Sequence, residues 1–192
     1  MNKFLCRYLV EMLLQFREVS EDEKSIYLYG TQILLEKVEN LLCIFFFIII
    51  YRSWIEGILF IVIYTVLRKE GGGYHAKTPM KCVLCTIIIT NLFFLFLEFS
   101  LLKIESMPLF VLLLFLIYII APVDSFNNPL NGNYKKNKLL VILIMLACAY
   151  AFFLIENEKI ANAIFMIVCI YITMLIMGIK DSPRYRRSNK LD

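Results

Sequence analysis

The sequence has little histidine and little charge, and its cysteines are not regularly spaced. Its 192 residues include one histidine, seven glycines and five prolines, and only 19% are charged. A single imidazole excludes the His-Glu-x-x-His helix of zinc metallopeptidases. The Gly-x-Ser-x-Gly motif of serine hydrolases is also missing from the sequence. The shortage of charge excludes an ordinary soluble domain, in which about a quarter of the residues are charged.

The six cysteines do not have the spacing of a disulfide framework. Cys43, Cys148 and Cys169 lie inside apolar runs, where a free cysteine behaves as a small apolar residue. Cys82 and Cys85 form a Cys-x-x-Cys pair, for which a redox pair or half of a zinc site is the less favoured alternative. Because no second pair of ligands accompanies them, we predict free thiols, no metal and no cofactor.

Apolar residues are abundant, at 60% of the chain, and the mean hydropathy is +0.74. Several runs approach the roughly 20 apolar residues that cross a bilayer. We therefore predict an all-α, polytopic membrane protein with about six transmembrane helices in a single integral membrane domain. The predicted membrane helices are 24–50, 54–68, 79–98, 107–121, 138–156 and 159–179, and residues 180–192 form a basic tail.

Residues 1–19 have the pattern of an amphipathic helix on the membrane surface. Apolar side chains recur along this segment at helical spacing. Glu11, Arg17 and Glu18 interrupt the stretch that would form the apolar core of a signal peptide, so cleavage is not predicted. Ser20-Glu21-Asp22-Glu23 then has the form of a capping box and predicts the start of the next helix.

Lysine and arginine are distributed unevenly among the segments outside the predicted spans. Sixteen fall in the N-terminal segment, the second and fourth connections and the tail, against three in the other connections. Because cytoplasmic loops are enriched in these residues, both termini and the second connection are predicted to face the cytoplasm. Membrane lipids are expected partners and nucleic acid is not, and a homodimer formed through the spans remains open.

The second connection contains the sequence RKEGGGYHAKTPMKC, residues 68–82, in which several chemically useful groups are concentrated. Thr78 and Pro79 have the character of an N-cap and a first helical residue. Cys82 would then lie near the first turn of the third span. A helix N-terminus with lysines nearby favours the thiolate form of such a cysteine.

The single histidine lies in the same connection as this cysteine. A loop made pliable by Gly71, Gly72 and Gly73 can bring the His75 ring within hydrogen-bonding reach of the Cys82 sulfur. That pairing is what an activated cysteine nucleophile requires. The backbone N–H groups of the loop can in addition hold an oxyanion.

A third group can orient the histidine ring. The first candidate is Asp124, in the predicted cytoplasmic loop after Pro122, although an aspartate there also suits a simple turn. Gln32 and Glu36, near the cytoplasmic end of the first span, are the next candidates.

The stretch 68–82 resembles the signature of the accessory gene regulator B (AgrB) family, integral membrane cysteine endopeptidases of Gram-positive quorum sensing. The likeness is closest in the spacing from His75 to Cys82 and in the basic pair Arg68-Lys69. Chain size, hydropathy and the later sequence APVDSFNNPL extend it over most of the chain. The resemblance implies that His75 and Cys82 form the catalytic dyad.

By the same resemblance, the substrate is an AgrD-like precursor peptide that is cut on the cytoplasmic side of the cell membrane. Its N-terminal part becomes a thioester on Cys82, and a cysteine or serine of the peptide then closes a thiolactone or lactone ring. The released tail of such a peptide is acidic, and basic residues near the site would attract it. These residues are Arg68, Lys69, Lys77 and Lys81.

A second class of function stays open at this point. The chain can instead be a non-catalytic membrane subunit or a small transporter that uses the cytoplasmic loop for docking. Transporters often consist of two matched halves with interrupted helices. The sequence contains no internal repeat of that kind, which makes this class the less favoured one.

Overall fold

The computed structural model describes residues 3–14, 20–76, 78–99, 107–124 and 133–181. Throughout these ranges the regular elements are helices, joined by one isolated parallel bridge between Gly72 and Val123. The predicted all-α fold is therefore confirmed for this part of the chain. Lys77, the end of the predicted surface helix at 15–19 and the tail at 182–192 lie outside the described residues.

Eight α-helices and one π-helical segment make up the described ranges. They are α1 (Lys3–Leu14), α2 (Glu21–Tyr51), α3 (Trp54–Leu59), the π-helical segment (Phe60–Tyr64), α4 (Thr65–Gly71), α5 (Pro79–Glu98), α6 (Met107–Ile120), α7 (Tyr134–Leu154) and α8 (Glu158–Asp181).

The helices α2 and α5 begin at the capping residues that the sequence indicates. The Ser20 hydroxyl accepts a hydrogen bond from the Glu23 N–H, and the Glu23 carboxylate accepts one from the Ser20 N–H. Thr78 caps α5 in the same way through the Lys81 N–H, with Pro79 as the first helical residue. These caps satisfy N–H groups that have no partner within the helix.

The predicted helix 54–68 is longer in the structure and contains an irregular turn. The chain stays helical from α3 through the π-helical segment to the end of α4. It stops at Gly72, whose φ of 71° is a conformation that glycine adopts at little steric cost. A π-helical turn adds one residue to a helix and often occurs at functional sites. Here it ends at Tyr64, whose hydroxyl accepts a hydrogen bond from Arg68.

The helix α7 begins at Tyr134, four residues before the predicted start. The Asn133 side chain accepts a hydrogen bond from the Lys135 N–H and caps the helix there. Three lysines of the fourth connection consequently belong to the first turns of a helix.

The helix α8 lies at the centre of the packing. It contacts α3, the π-helical segment, α5, α6 and α7. Most of its apolar stretch is buried, against less than a third of that of α5 or α7. Its buried side chains include Ile164, Ile167, Tyr171 and Leu175, which recur every three or four residues. This helix therefore forms one wall of the bundle against which the loop after α4 can pack.

Three helices are long and apolar enough to cross a membrane, namely Met80–Glu98, Tyr134–Leu154 and Glu158–Lys180. Met107–Ile120 is apolar but shorter. The apolar part of α2 begins only after Glu39, and α3 to α4 form a short, irregular helix. Three apolar spans indicate a membrane protein. The count of six spans and their orientation remain predictions.

Candidate active site

The site forms where the start of α5 meets the middle of α2. Cys82 lies in the first turns of α5, where its N–H donates to the Thr78 carbonyl over 3.1 Å. Its sulfur is partly buried and lies 3.9 Å from the Asn40 side-chain nitrogen of α2. The Thr86 hydroxyl donates to the Cys82 carbonyl one turn further along the helix. The nucleophile candidate is therefore held on a regular helix rather than on a loop.

The loop that carries the histidine is fixed on two sides. The Gly73 N–H donates to the Val123 carbonyl over 3.2 Å, and the Val123 N–H donates to the Gly71 carbonyl over 2.9 Å. On the other side, the Tyr74 N–H donates to the Met174 carbonyl of α8 over 2.9 Å. These bonds tie the loop to the segment after α6 and to α8, so the ring of the next residue starts from a fixed backbone.

Close packing explains the glycines of this loop. A Cβ on Gly71 would overlap the Tyr171 hydroxyl, and a Cβ on Gly178 of α8 would lie 2.6 Å from the Gly73 carbonyl carbon. Gly73 also has a φ of 109°, which other residues rarely adopt. The predicted oxyanion role of these glycines remains a prediction, and the Gly73 N–H is already used in the bond to Val123.

The His75 ring is partly buried, and its Nδ1 lies 3.2 Å from the Ala76 carbonyl oxygen. A carbonyl oxygen only accepts, so this contact assigns the proton to Nδ1 and leaves Nε2 as the basic nitrogen of the neutral ring. Burial lowers the pKa of His75 from its ordinary value of 6.5, while the Ala76 carbonyl raises it. The Arg68 cation lowers this pKa further, and the Glu36 carboxylate raises it.

The same two charged residues surround the cysteine. Arg68, Asn40 and Glu36 all lie close enough to Cys82 to act on its charge. His75 and Cys82, which come from different elements, therefore share Arg68 and Glu36 as electrostatic neighbours. The two residues that the sequence indicates as a pair thus have two charged neighbours in common, and their pairing stays a prediction.

Arg68 is held by the protein itself. Its guanidinium donates to the Tyr64 hydroxyl and to the Tyr74 carbonyl, both over 2.7 Å, and it lies 5.8 Å from the centre of the Tyr64 ring. The carbonyl of Tyr74 immediately precedes His75, so Arg68 helps to position the histidine loop. Its assignment to the acidic part of a substrate remains a prediction.

The other predicted basic contacts differ in position. Lys69 is exposed and lies 3.6 Å from the Glu70 carboxylate. Lys81 is exposed at the start of α5. Two exposed cations therefore flank the site.

The three candidates for an orienting group differ in position. The Glu36 carboxylate is a charged neighbour of both His75 and Cys82 and accepts a hydrogen bond from the Gln32 amide over 3.3 Å. Asp124 is exposed and directly follows Val123, whose backbone pairs with the glycine loop. The orienting role of each candidate stays a prediction.

Asn40 is the site residue that the sequence reasoning did not identify. It lies 42 positions from Cys82 in the chain, and neither residue type nor local motif connects them. The sequence did contain one indication that Asn40 faces the site. Gln32, Glu36 and Asn40 are spaced by four residues and therefore share one face of α2. A polar face in a helix that becomes apolar after Glu39 indicates contact with other protein groups.

Within the described ranges, no three His, Cys, Asp or Glu side chains come together in a way that could hold a metal ion. Cys85, the second residue of the Cys-x-x-Cys pair, lies close enough to influence the Cys82 charge.

Comparison with known proteins gives related sequences. A protein of Clostridium perfringens (strain SM101 / Type A) named "Putative AgrB-like protein" is 27% identical over 126 residues, which are 62% of this chain and 59% of that protein. "Putative AgrB-like protein 1" of Clostridium perfringens (strain 13 / Type A) is 32% identical over 90 residues, or 45% of this chain and 48% of the relative. The matches thus span about half to three fifths of these relatives.

No solved structure matches the chain. The family model described as accessory gene regulator B matches residues 4–177, a range that contains both His75 and Cys82. Since this match covers nearly all of the sequence, the chain belongs to the AgrB family.

Proposed function

We propose that this protein is a membrane cysteine endopeptidase of quorum sensing that cuts an AgrD-like precursor peptide at the cytoplasmic face. One observation supports the proposal: Arg68 and Glu36 are charged neighbours of both His75 and Cys82. Membership of the AgrB family supports the same roles.

In the first step, Nε2 of neutral His75 accepts the proton of the Cys82 thiol, and the sulfur attacks the carbonyl carbon of the scissile peptide bond. The carbonyl π electrons move to oxygen and form a tetrahedral intermediate. When the C–N bond breaks, His75 returns the proton to the leaving amine, and a thioester on Cys82 remains. The C-terminal part of the precursor departs.

In the second step, a cysteine thiol or serine hydroxyl within the retained peptide attacks the thioester carbonyl. His75 accepts its proton and then gives a proton to the departing Cys82 sulfur. The product is a thiolactone or a lactone, and the enzyme regains its free thiol. Partial burial of Cys82 reduces access of water and so favours ring closure over hydrolysis.

The exposed cations around the site suit a precursor with an acidic C-terminal part. Lys69 and Lys81 are exposed near the dyad, and their field would attract carboxylates at low salt. The apolar exterior of the spans is consistent with a site at a membrane surface, where an amphipathic peptide helix would bind.

The proposal is tested with Cys82→Ala and His75→Ala. We expect each to abolish cleavage of a co-expressed precursor that has an amphipathic start, a central cysteine and an acidic end. Mass spectrometry of the products measures cleavage, and immunoblotting of the membrane fraction measures insertion. Cys85→Ala, one turn along the same helix, is the matched control and should retain cleavage.

Persistent cleavage in Cys82→Ala would contradict the proposal. Indifference of Cys82 to thiol-alkylating reagents, with normal insertion, would favour a non-catalytic subunit or small transporter with a docking loop.

A further inference from the structure

The Asn40 side chain has an orientation that its surroundings determine. Its amide donates to the Glu36 carbonyl over 2.8 Å and lies 3.9 Å from the Cys82 sulfur. A carbonyl oxygen accepts hydrogen bonds and cannot pair with another oxygen, so the atom that contacts Glu36 is the nitrogen. One N–H of the amide therefore bonds within α2, and the second is directed toward the sulfur of α5.

The oxygen of the same amide is buried without a hydrogen-bond partner. A buried acceptor without a donor costs on the order of 1–3 kcal/mol. An unpaired buried polar atom in a native protein requires an explanation, and one explanation is a ligand that supplies the missing donor. At this position, beside Cys82, a peptide N–H of a bound substrate would supply it.

The distance from the Asn40 side-chain nitrogen to the Cys82 sulfur suits a contact with the oxyanion that forms during the reaction. In a tetrahedral intermediate, sulfur and oxyanion are bound to the same carbon and are therefore immediate neighbours. An effective donor lies about 2.7–3.1 Å from the oxyanion. A nitrogen 3.9 Å from the sulfur can meet this condition, because the oxyanion then lies beside both atoms.

We propose that Asn40 is a catalytic residue whose amide N–H stabilises the oxyanion at Cys82, while its buried oxygen accepts a backbone N–H of the substrate. This inference rests on the proposed peptidase function. When sulfur bonds to the carbonyl carbon, the electron pair that moves to oxygen is held by Asn40. The pair returns when the C–N bond breaks, so the same N–H acts in thioester formation and in ring closure.

The test compares two reactions of the full chain in detergent. Acylation by p-nitrophenyl acetate forms an oxyanion, releases p-nitrophenolate and leaves an acetyl thioester on Cys82. Alkylation by iodoacetamide displaces iodide directly and forms no oxyanion. Both are measured at Cys82 by peptide mapping, at a pH where the thiol is ionised. The ratio of the acylation rate to the alkylation rate therefore measures oxyanion stabilisation separately from activation of the thiol.

We expect Asn40→Ala and Asn40→Asp each to lower the acylation rate by on the order of 100-fold. The alkylation rate should stay within about threefold, since both rates are measured at a pH where the thiol is already ionised. Asn91→Ala is the matched control. Asn91 is an amide of the same helix pair that accepts a bond from Tyr51 instead of contacting the sulfur, and its removal should leave both rates unchanged.

The outcomes separate this inference from the proposed function. Normal acylation in Asn40→Ala, together with loss of precursor cleavage in His75→Ala, overturns the role of Asn40 and leaves the peptidase intact. Equal losses of acylation and alkylation in both Asn40 variants assign Asn40 to structure and also overturn the inference. Wild-type Cys82 that is not acylated faster than Cys85 overturns the peptidase and, with it, the role of Asn40.

Discussion

The charge of His75 determines the pH range in which the dyad can work. Nε2 accepts the thiol proton only while the ring is neutral. Because burial lowers the pKa of His75 from 6.5, the ring remains neutral at pH 7 and becomes protonated only in more acidic solution. We expect kcat/KM for precursor cleavage, measured from about pH 5 to 8, to fall on the acid side with an apparent pKa below 6.5. An acid limb centred above pH 7 would contradict this expectation.

The carboxylate of Glu36 provides a second test of the same charge balance. Glu36 raises the pKa of His75, so its removal in Glu36→Gln should lower that pKa and move the acid limb to a lower pH. The pH at which the acid limb is centred reports the pKa of His75. The maximal rate is a separate quantity, and it also changes if Glu36 orients the ring. Glu39→Gln is the matched control on α2, because Glu39 influences Cys43 instead. A shift toward higher pH in Glu36→Gln would exclude Glu36 as the neighbouring charge.

Among the elements, the backbone of α8 closely approaches the backbone of the loop that carries His75. A Cβ added at Gly178 would lie 2.6 Å from the Gly73 carbonyl carbon and 2.7 Å from the Tyr74 nitrogen. Backbone atoms cannot move aside as a side chain can, so Gly178→Ala should push α8 and the loop apart. We expect a loss of about 1–3 kcal/mol in stability and reduced cleavage, measured by thermal unfolding in detergent and by product yield.

Gly30→Ala is the control for this prediction. Gly30 is also a helical glycine, but no atom lies within 4 Å of its added Cβ. Alanine favours a helix over glycine by about 1 kcal/mol, so this variant should be as stable as the wild type or more stable. Equal destabilisation by both substitutions would show that the loss comes from a general effect on insertion or folding rather than from the loop contact.

The elements also show which features can be derived from the sequence. The starts of α2 and α5 follow from Ser20 and Thr78, because a cap acts on residues two or three positions away. The prediction of the short helix stopped at Arg68 because the following charged and glycine residues resemble a loop. The structure continues it to Gly71, since the Tyr64 hydroxyl and the Tyr74 carbonyl hold Arg68 at the helix end.

The contacts that assemble the site are not local in sequence. Pairing of Gly71 and Gly73 with Val123 joins segments about fifty positions apart, and Asn40 approaches Cys82 across two helices. Residue type and spacing alone cannot specify such contacts, because each depends on how helices pack. The pairing of His75 with Cys82 could be predicted from the sequence because only seven positions separate them, and it stays a prediction.

For the whole molecule, the asymmetry of positive charge predicts the orientation in the membrane. Sixteen Lys and Arg residues lie on the predicted cytoplasmic side, against three on the other. In a variant without the native cysteines, Lys69→Cys and Lys159→Cys place single thiols on the two sides. A membrane-impermeant maleimide should label Lys159→Cys in intact cells and Lys69→Cys only after permeabilisation. The reverse pattern would place the dyad outside the cell.

The two halves of the dyad are anchored to different parts of the bundle. Cys82 and Asn40 belong to the paired helices α2 and α5, whereas the backbone before His75 is tied to α8 and to Val123. Helix α5 also packs against α8, so the distance between imidazole and sulfur depends on how these helices are tilted relative to one another. Bilayer thickness acts on helix tilt. We therefore expect the rate of cleavage to depend on the thickness of the surrounding bilayer, a dependence that a soluble thiol peptidase does not have.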